Sequence, residues 1–267
     1  VKKIDLLIID PQNDFCRPDG ALSVKGADKD MENVAKMILK GKSKIDNIRV
    51  TLDSHHYIHI AHPIWWKDAK GNSPAPFTII TYNDLIGNNP KWTTMNPGFL
   101  KRSIEYVKKL QDNARYPLCI WPPHCIIGSF GHAIFPELFD ALIEWEKQFA
   151  VVDKVVKGTN IFTEHYSAVK SDVEDSNDPA TLLNTNFIMH LQEADVIGIA
   201  GEALSHCVAN TIRDISNEFG PEQTRKFVLL EDACSNVSGF EQFGIDFVKE
   251  MTGKGMQISN TKDFLSL

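Results

Sequence analysis

The chain has 267 residues, 43% of them hydrophobic and 24% charged, enough for one large α/β domain with a sizeable core. Its formal net charge of -7 argues against nucleic acid as a main partner, because phosphate binding needs a basic surface. No apolar run approaches the roughly 18 residues of a membrane span, so no membrane partner is expected.

The opening, Val1-Lys-Lys-Ile-Asp-Leu-Leu-Ile-Ile-Asp10, has too short an apolar core for a signal peptide and no small-residue cleavage site. It has no initiator methionine, so a few further residues are expected upstream. Cys16, Cys119, Cys125, Cys207 and Cys234 are odd in number and scattered, which suits a reducing cytoplasm better than a disulfide framework.

In chain order, Ile4–Ile9 reads as a buried strand, Asp28–Lys40 as a helix and Asn47–Leu52 as a second strand. Pro63 to Pro117 breaks this rhythm; it is rich in Trp, Asn, Pro and Gly, with one helix expected over Phe99–Leu110. Such an excursion serves as a lid, a binding loop or a subunit contact. Helical periodicity follows over Phe135–Lys147, Ala180–Gln192, Ser205–Phe219 and Gly239–Thr252. Phe149–Val152, Asp195–Ala200, Lys226–Leu230 and Met256–Ser259 are the remaining expected strands. Alternating strands and helices imply βαβ units, hence a three-layer, Rossmann-like α/β fold: a mostly parallel sheet with helices on both faces. One domain over residues 1–267 is expected, with the irregular insertion at about 63–117.

Ligands in such sheets bind beyond the carboxyl ends of the strands. Asp10 follows the first strand there, Asp53 and His55 the second, Lys157 the strand near residue 150, and Gly201 to Cys207 the next. Cys207 opens an amphipathic helix, where unpaired N–H groups and the helix dipole favour a thiolate, so a lowered pKa is expected. The plain alternative is a small buried hydrophobe at a strand–helix joint. Asp10 is placed to act as acid and base, with a pKa raised by desolvation, or else to serve as a turn residue before Pro11. Lys157 could hold Asp10 as an anion, or be a solvated lysine at a strand end. Backbone N–H groups of Ala203 and Cys207 would be the oxyanion donors.

Four histidines lie within eight residues, His55, His56, His59 and His62, in a chain with nine. An Asp-x-His pair after a strand, with a distant third histidine such as His124, can form a three-ligand divalent metal site. His56, His59 and His62 compete with His55 for that role.

Four ordered segments are together specific. They are Ile8-Ile-Asp10-Pro-Gln-Asn-Asp-Phe15, Trp121-Pro-Pro-His124-Cys125, Lys157-Gly158 with downstream Tyr166-Ser-Ala, and Gly201-Glu-Ala-Leu-Ser-His-Cys207-Val. With Asp10, Lys157 and Cys207 in this order, the chain resembles the isochorismatase-like cysteine hydrolases, and within them the nicotinamidase (pyrazinamidase) branch. The resemblance implies a six-stranded parallel sheet and a cis peptide at Glu202–Ala203. It also implies hydrolysis of nicotinamide or a similar heteroaromatic primary amide through a thioester on Cys207. Asp53, His55 and His124 match the family's metal ligands, with zinc expected first and iron or manganese as alternatives. Phe15, Trp121 and Tyr166 match aromatic pocket positions.

A small-molecule amide substrate, a homo-oligomer and a role in pyridine-nucleotide biosynthesis are the accompanying expectations. Isochorismatases proper lack the cysteine, and carbamoyl amidases of the family lack the metal motif. Departures are Ser54 and His56 in place of Trp and Pro, His59-Ile-Ala-His62 in place of His-x-Ser-Phe, and Glu202 where a small apolar residue is usual. A hydrolase of another small amide or carbamoyl substrate, or a catalytically silent binding protein, are the competing readings.

Overall fold

The computed structural model describes residues 2–113 and 115–266. Six strands form one parallel sheet: β1 (Ile4–Ile9), β2 (Asn47–Asp53), β3 (Asp153–Lys157), β4 (Val196–Gly201), β5 (Phe227–Leu230) and β6 (Gln257–Ser259). Their spatial order is β6-β5-β4-β1-β2-β3. The chain therefore steps outward from β1 to β3, returns to β1's other side, and steps outward again. This reversal makes the crevice between the carboxyl ends of β1 and β4 the topological switch point, where such sheets bind ligands.

Leu6, Leu7, Ile8 and Ile9 of β1 are fully buried, as expected of a central parallel strand covered on both faces. Right-handed crossovers then place the helices before and after the reversal on opposite faces. Helix α1 (Ala27–Gly41) begins with Asp28 and Asp30 in its first turn and ends with Lys40 in its last, complementing the helix dipole. Met31, Val34, Ala35 and Ile38 form its buried stripe. The insertion contributes α2 (Leu100–Asp112), and α1 packs on α3 (Pro136–Glu146). The return half carries α4 (Thr185–Gln192), α5 (Ala209–Phe219) and α6 (Glu241–Gly253).

Three expected boundaries are corrected. The strand expected at Phe149–Val152 lies at Asp153–Lys157, so Lys157 is its last residue and does not merely follow it. Phe149 is fully exposed with a φ of 62° and belongs to the turn after α3. The helix expected from Ala180 starts only at Thr185, because the Asn184 side chain accepts the Phe187 N–H and caps it there. Pro179–Thr181 is a separate 3₁₀ turn. The segment from Ser205 is likewise not α-helical at its start: Leu204–Val208 is a π-helical turn that leads into α5.

The 63–117 excursion builds two short antiparallel pairs, Trp66–Lys67 with Thr93–Thr94 and Ile79–Ile80 with Leu118–Cys119. The Trp66 indole donates to the Ile60 carbonyl (2.6 Å) and the Trp65 indole to the Ser103 hydroxyl (3.0 Å), tying the insertion to the histidine loop and to α2. Among the described residues, no helix is long and apolar enough to cross a membrane. All five cysteines are buried free thiols.

Gly201 closes β4 at φ 121°, and a Cβ there would lie 2.0 Å from the Ile9 carbonyl oxygen. The absence of a Cβ is what lets the next N–H, of Glu202, reach the same oxygen at 2.8 Å. Gly201→Ala should therefore lose at least ~3 kcal/mol, from strain and backbone displacement together. Its urea midpoint, compared with wild type, is the measurement.

Candidate active site

Three buried side chains converge at the switch point. Asp10 follows β1 with a φ of 44°; its N–H is held by the Thr51 carbonyl (3.1 Å) and hydroxyl (3.0 Å). The Thr51 hydroxyl in turn donates to Asp10 Oδ1 at 2.5 Å. Lys157 enters from β3, and its Nζ lies 2.8 Å from Asp10 Oδ2 and 3.2 Å from Asp53 Oδ1. The same ammonium donates to the His165 carbonyl (2.9 Å) and lies 3.7 Å from Cys207 Sγ. Strand pairing brings these groups together: Asp53 is the register partner of Lys157, and Ile9 that of Gly201.

The electrostatics correct one expectation. Burial pushes the Cys207 thiol well above its usual range; Lys157 opposes this, while Asp10 and Asp53 add to it. The helix-terminus effect does not prevail, because a 6%-exposed thiol beside two carboxylates is desolvated and repelled as an anion. Burial also raises Asp10, against the pull of Lys157. Burial disfavours the Lys157 charge, but Asp10 and Asp53 outweigh it and hold the ammonium well above its ordinary value. These directions favour a neutral thiol beside the Asp10–Lys157 pair.

The loop between β4 and α5 contains the expected cis peptide at Glu202–Ala203. Glu202 N–H binds the Ile9 carbonyl and Leu204 N–H the Ser235 carbonyl (2.7 Å), whereas Ala203 N–H engages no acceptor among the described residues. The departure at Glu202 is accommodated by full burial. Its Oε2 accepts the Ser235 N–H at 3.2 Å, and the Ser235 hydroxyl donates to Asp30 Oδ2 at 2.5 Å. Glu202 thus faces α1, behind the loop.

Asp53, His55 and His124 form the second feature. Asp53 Oδ2 lies 2.9 Å from His55 Nε2 and 3.4 Å from His124 Nε2. One donor atom from each residue lies within 4.8 Å of the others, and all three are buried. The bridge of His55 to Ile126 in the 121–127 segment is what sets His124 beside His55. His124 Nδ1 donates to the Pro122 carbonyl (2.8 Å), which leaves the Nε2 lone pair free to bind. A carboxylate and two imidazoles so arranged fit a divalent metal of the zinc, iron or manganese type. Of the competing histidines, His56 is exposed, while His59 and His62 are fully buried beside His55, at ring-centroid distances of 4.5 and 5.5 Å.

Of the three aromatic positions, Phe15 lies against the Asp53–His55–His124 group, and Trp121 and Tyr166 lie against each other and His206. Phe15 stands 5.4 Å from the His124 ring, and the Trp121 indole donates to the Tyr166 hydroxyl at 2.9 Å. Sequence reasoning missed their neighbours Tyr116, His206 and Phe240. His206, beside the thiol, stacks on Tyr116 at 5.2 Å and meets Trp121, Tyr166 and Phe240 at 5.0 to 5.5 Å. Glu164 was missed too, since nothing in its spacing marks a glutamate that ends up buried against His59. A surface cavity of about 720 Å³, lined by Tyr57, Ile58, Trp65 and Met95 among others, lies on the outer side of the histidine loop and does not include the Asp10, Lys157 and Cys207 side chains.

Burial lowers the His206 pKa to about 4. Its unfolded value is near 6.5, so the unfolded chain binds the extra proton and stability is lost as pH falls below that value. Relative to His206→Gln, wild type should lose about 2 kcal/mol of stability between pH 7 and pH 5. Urea titration of both proteins at the two pH values checks this.

No family model matches the chain. The nicotinamidase of Saccharomyces cerevisiae is 25% identical over 208 residues, covering 77% of this chain and 78% of that protein. Among solved structures, the yeast nicotinamidase superposes with a TM-score of 0.66 at 20% identity, covering 96% of this chain and 99% of that one. A nicotinamidase/pyrazinamidase of Acinetobacter baumannii gives 0.64 at 21% identity over 98% of both chains. The Pyrococcus horikoshii pyrazinamidase, solved in complex with zinc, gives 0.56 at 19% identity, covering 97% and 99%. Joined to the six-stranded sheet, these likenesses show that the chain has the fold of the solved nicotinamidases and is similar in sequence to the yeast enzyme.

Proposed function

We propose that this protein is a metal-assisted cysteine amidohydrolase acting on nicotinamide or a similar heteroaromatic primary amide. The observation that carries the reading is the Lys157 ammonium, 2.8 Å from the Asp10 carboxylate and 3.7 Å from the Cys207 sulfur. A general base, a nucleophile and a fixed positive charge thereby share one desolvated site. The amide class comes from the nicotinamidase relatives.

Because the resting thiol is neutral, its proton moves to Asp10 as the sulfur attacks the amide carbonyl carbon. The carbonyl oxygen becomes an oxyanion, received by the Ala203 and Cys207 N–H groups. The C–N bond then breaks, and the proton on Asp10 passes to the departing ammonia. Asp10, again a carboxylate, takes a proton from water as that water attacks the thioester. The acid leaves and the thiol is restored. Lys157 compensates the negative charge that moves between sulfur, oxyanion and carboxylate. Asp53, His55 and His124 would hold the divalent cation, which supplies a Lewis-acid anchor for a heteroaromatic ring nitrogen. Phe15, Trp121 and Tyr166 supply apolar walls for the ring. A second reading, a different small amide or carbamoyl substrate, is favoured by the imidazoles that His59-Ile-Ala-His62 adds beside the cation ligands.

Ammonia release from nicotinamide and pyrazinamide by the metal-loaded protein tests the proposal. Cys207→Ala should lower kcat at least ~10³-fold and Lys157→Met at least ~10²-fold. No release from either amide by wild type overturns the substrate assignment; unchanged release by Cys207→Ala overturns the mechanism. The base must be ionised, so kcat/KM should fall as pH drops. Burial raises Asp10, which puts the midpoint above the ordinary carboxyl value of 3.8.

A further inference from the structure

The Asp53, His55 and His124 group does not account for all the buried donors around the histidine loop. Glu164 approaches from the segment after β3, and its Oε1 lies 3.3 Å from His59 Nδ1. The Ala61 N–H donates to that same Nδ1 at 3.2 Å, so the one lone pair of this unprotonated nitrogen is engaged there, and a bound cation would displace that contact. A carboxylate oxygen and an imidazole nitrogen stand side by side in a fully buried corner. Such a pair needs a cation or a proton between its members. For donors about 2.0 to 2.1 Å from a tetrahedral zinc ion, the expected donor–donor separation is about 3.3 Å.

His55 supplies the third donor. One atom each from His55, His59 and Glu164 lie within 4.8 Å of one another, and all three residues are buried. His55 turns Nε2 toward Asp53, while its Nδ1, like Glu164 Oε1, has no hydrogen-bond partner among the described residues. An ion bound to Asp53, His55 Nε2 and His124 leaves both of those atoms unsatisfied. An unpaired buried polar atom costs about 1–3 kcal/mol.

We propose that His55, His59 and Glu164 form a second site for a divalent transition-metal cation of the zinc class, sharing the His55 ring with the Asp53–His55–His124 group. Each cation then has one carboxylate of its own, Asp53 or Glu164. The shared ring keeps one proton, on Nδ1, when only Nε2 is ligated. Filling the second site displaces that proton and the one that the Glu164–His59 pair holds while the site is empty, and both leave to solvent. The inference concerns cation binding and stands apart from the amide reaction proposed above.

The test uses the full chain, stripped of metal with a chelator, reloaded with zinc chloride and desalted. Metal per chain is then measured by mass spectrometry. Wild type should hold two equivalents, and Glu164→Gln and His59→Asn one each. Calorimetry in two buffers of different ionisation enthalpy should assign two released protons to the second equivalent. One equivalent in wild type, unchanged in Glu164→Gln, overturns the proposal and identifies Glu164 as a protonated acid hydrogen-bonded to His59. Should Glu164→Gln fail to fold, the wild-type count and His59→Asn decide. Ammonia release has no bearing on these counts, so failure here and failure of the proposed reaction are told apart.

Discussion

The rest of the site depends on one buried ammonium. Lys157 is 2% exposed and has two carboxylates, a carbonyl and a thiol around it. A charge so placed is tolerable only because Asp10 and Asp53 compensate it, and removing one member of such a pair costs about 3–5 kcal/mol. Each partner is therefore fixed by the others. The lysine pulls Asp10 toward its ionised form against burial, burial with Asp10 and Asp53 disfavours the thiolate, and Asp53 is committed on one oxygen to Lys157 and on the other to the two histidines. The Asp10–Lys157–Cys207 group and the Asp53–His55–His124 group are one electrostatic unit joined through Asp53.

Much of this was legible in the sequence, for a physical reason. Central parallel strands are apolar on both faces, so Ile4–Ile9 and Asn47–Leu52 stand out, and in this fold class the residues just beyond them lie on one rim. Asp10, Asp53, His55, Lys157 and Cys207 were found by that rule, and the structure brings them together. The edge strand was misplaced because half-exposed strands carry polar residues. Asp153-Lys-Val-Val-Lys157 reads as a surface segment, while the apolar Phe149–Val152 before it is a turn. The start of the 180–192 helix was misjudged because Asn184 acts through local capping, which apolar periodicity does not register.

Less legible still was anything that depends on burial of charge. The shift of the Cys207 thiol could not be read from its place at a helix start, because its sign is decided by desolvation and by Asp10 and Asp53, both remote in sequence. Glu164 and His59 are 105 positions apart (164 minus 59), and only the fold makes them neighbours. Glu202 stands where the resemblance leads one to expect a small apolar residue. In the structure its carboxylate turns away to Ser235, on the α1 side of the loop, and so braces the backbone whose free N–H would meet the oxyanion.

The lysine at the centre of this unit is carried by the outermost strand. β3 pairs with β2 alone, its other edge faces solvent, and four of its five residues are at least partly exposed. Backbone opening begins at such margins, where few contacts hold the ladder closed. Order at the ammonium is consequently expected to be lost at a lower free energy than the fold itself. Mild warming or dilute denaturant should withdraw the ammonium while β1, β4 and β5 stay intact, leaving a folded protein whose Cys207 thiol has lost its neighbouring charge. Order at the site and order of the whole domain are then separate properties, set at the margin and at the centre of the same sheet.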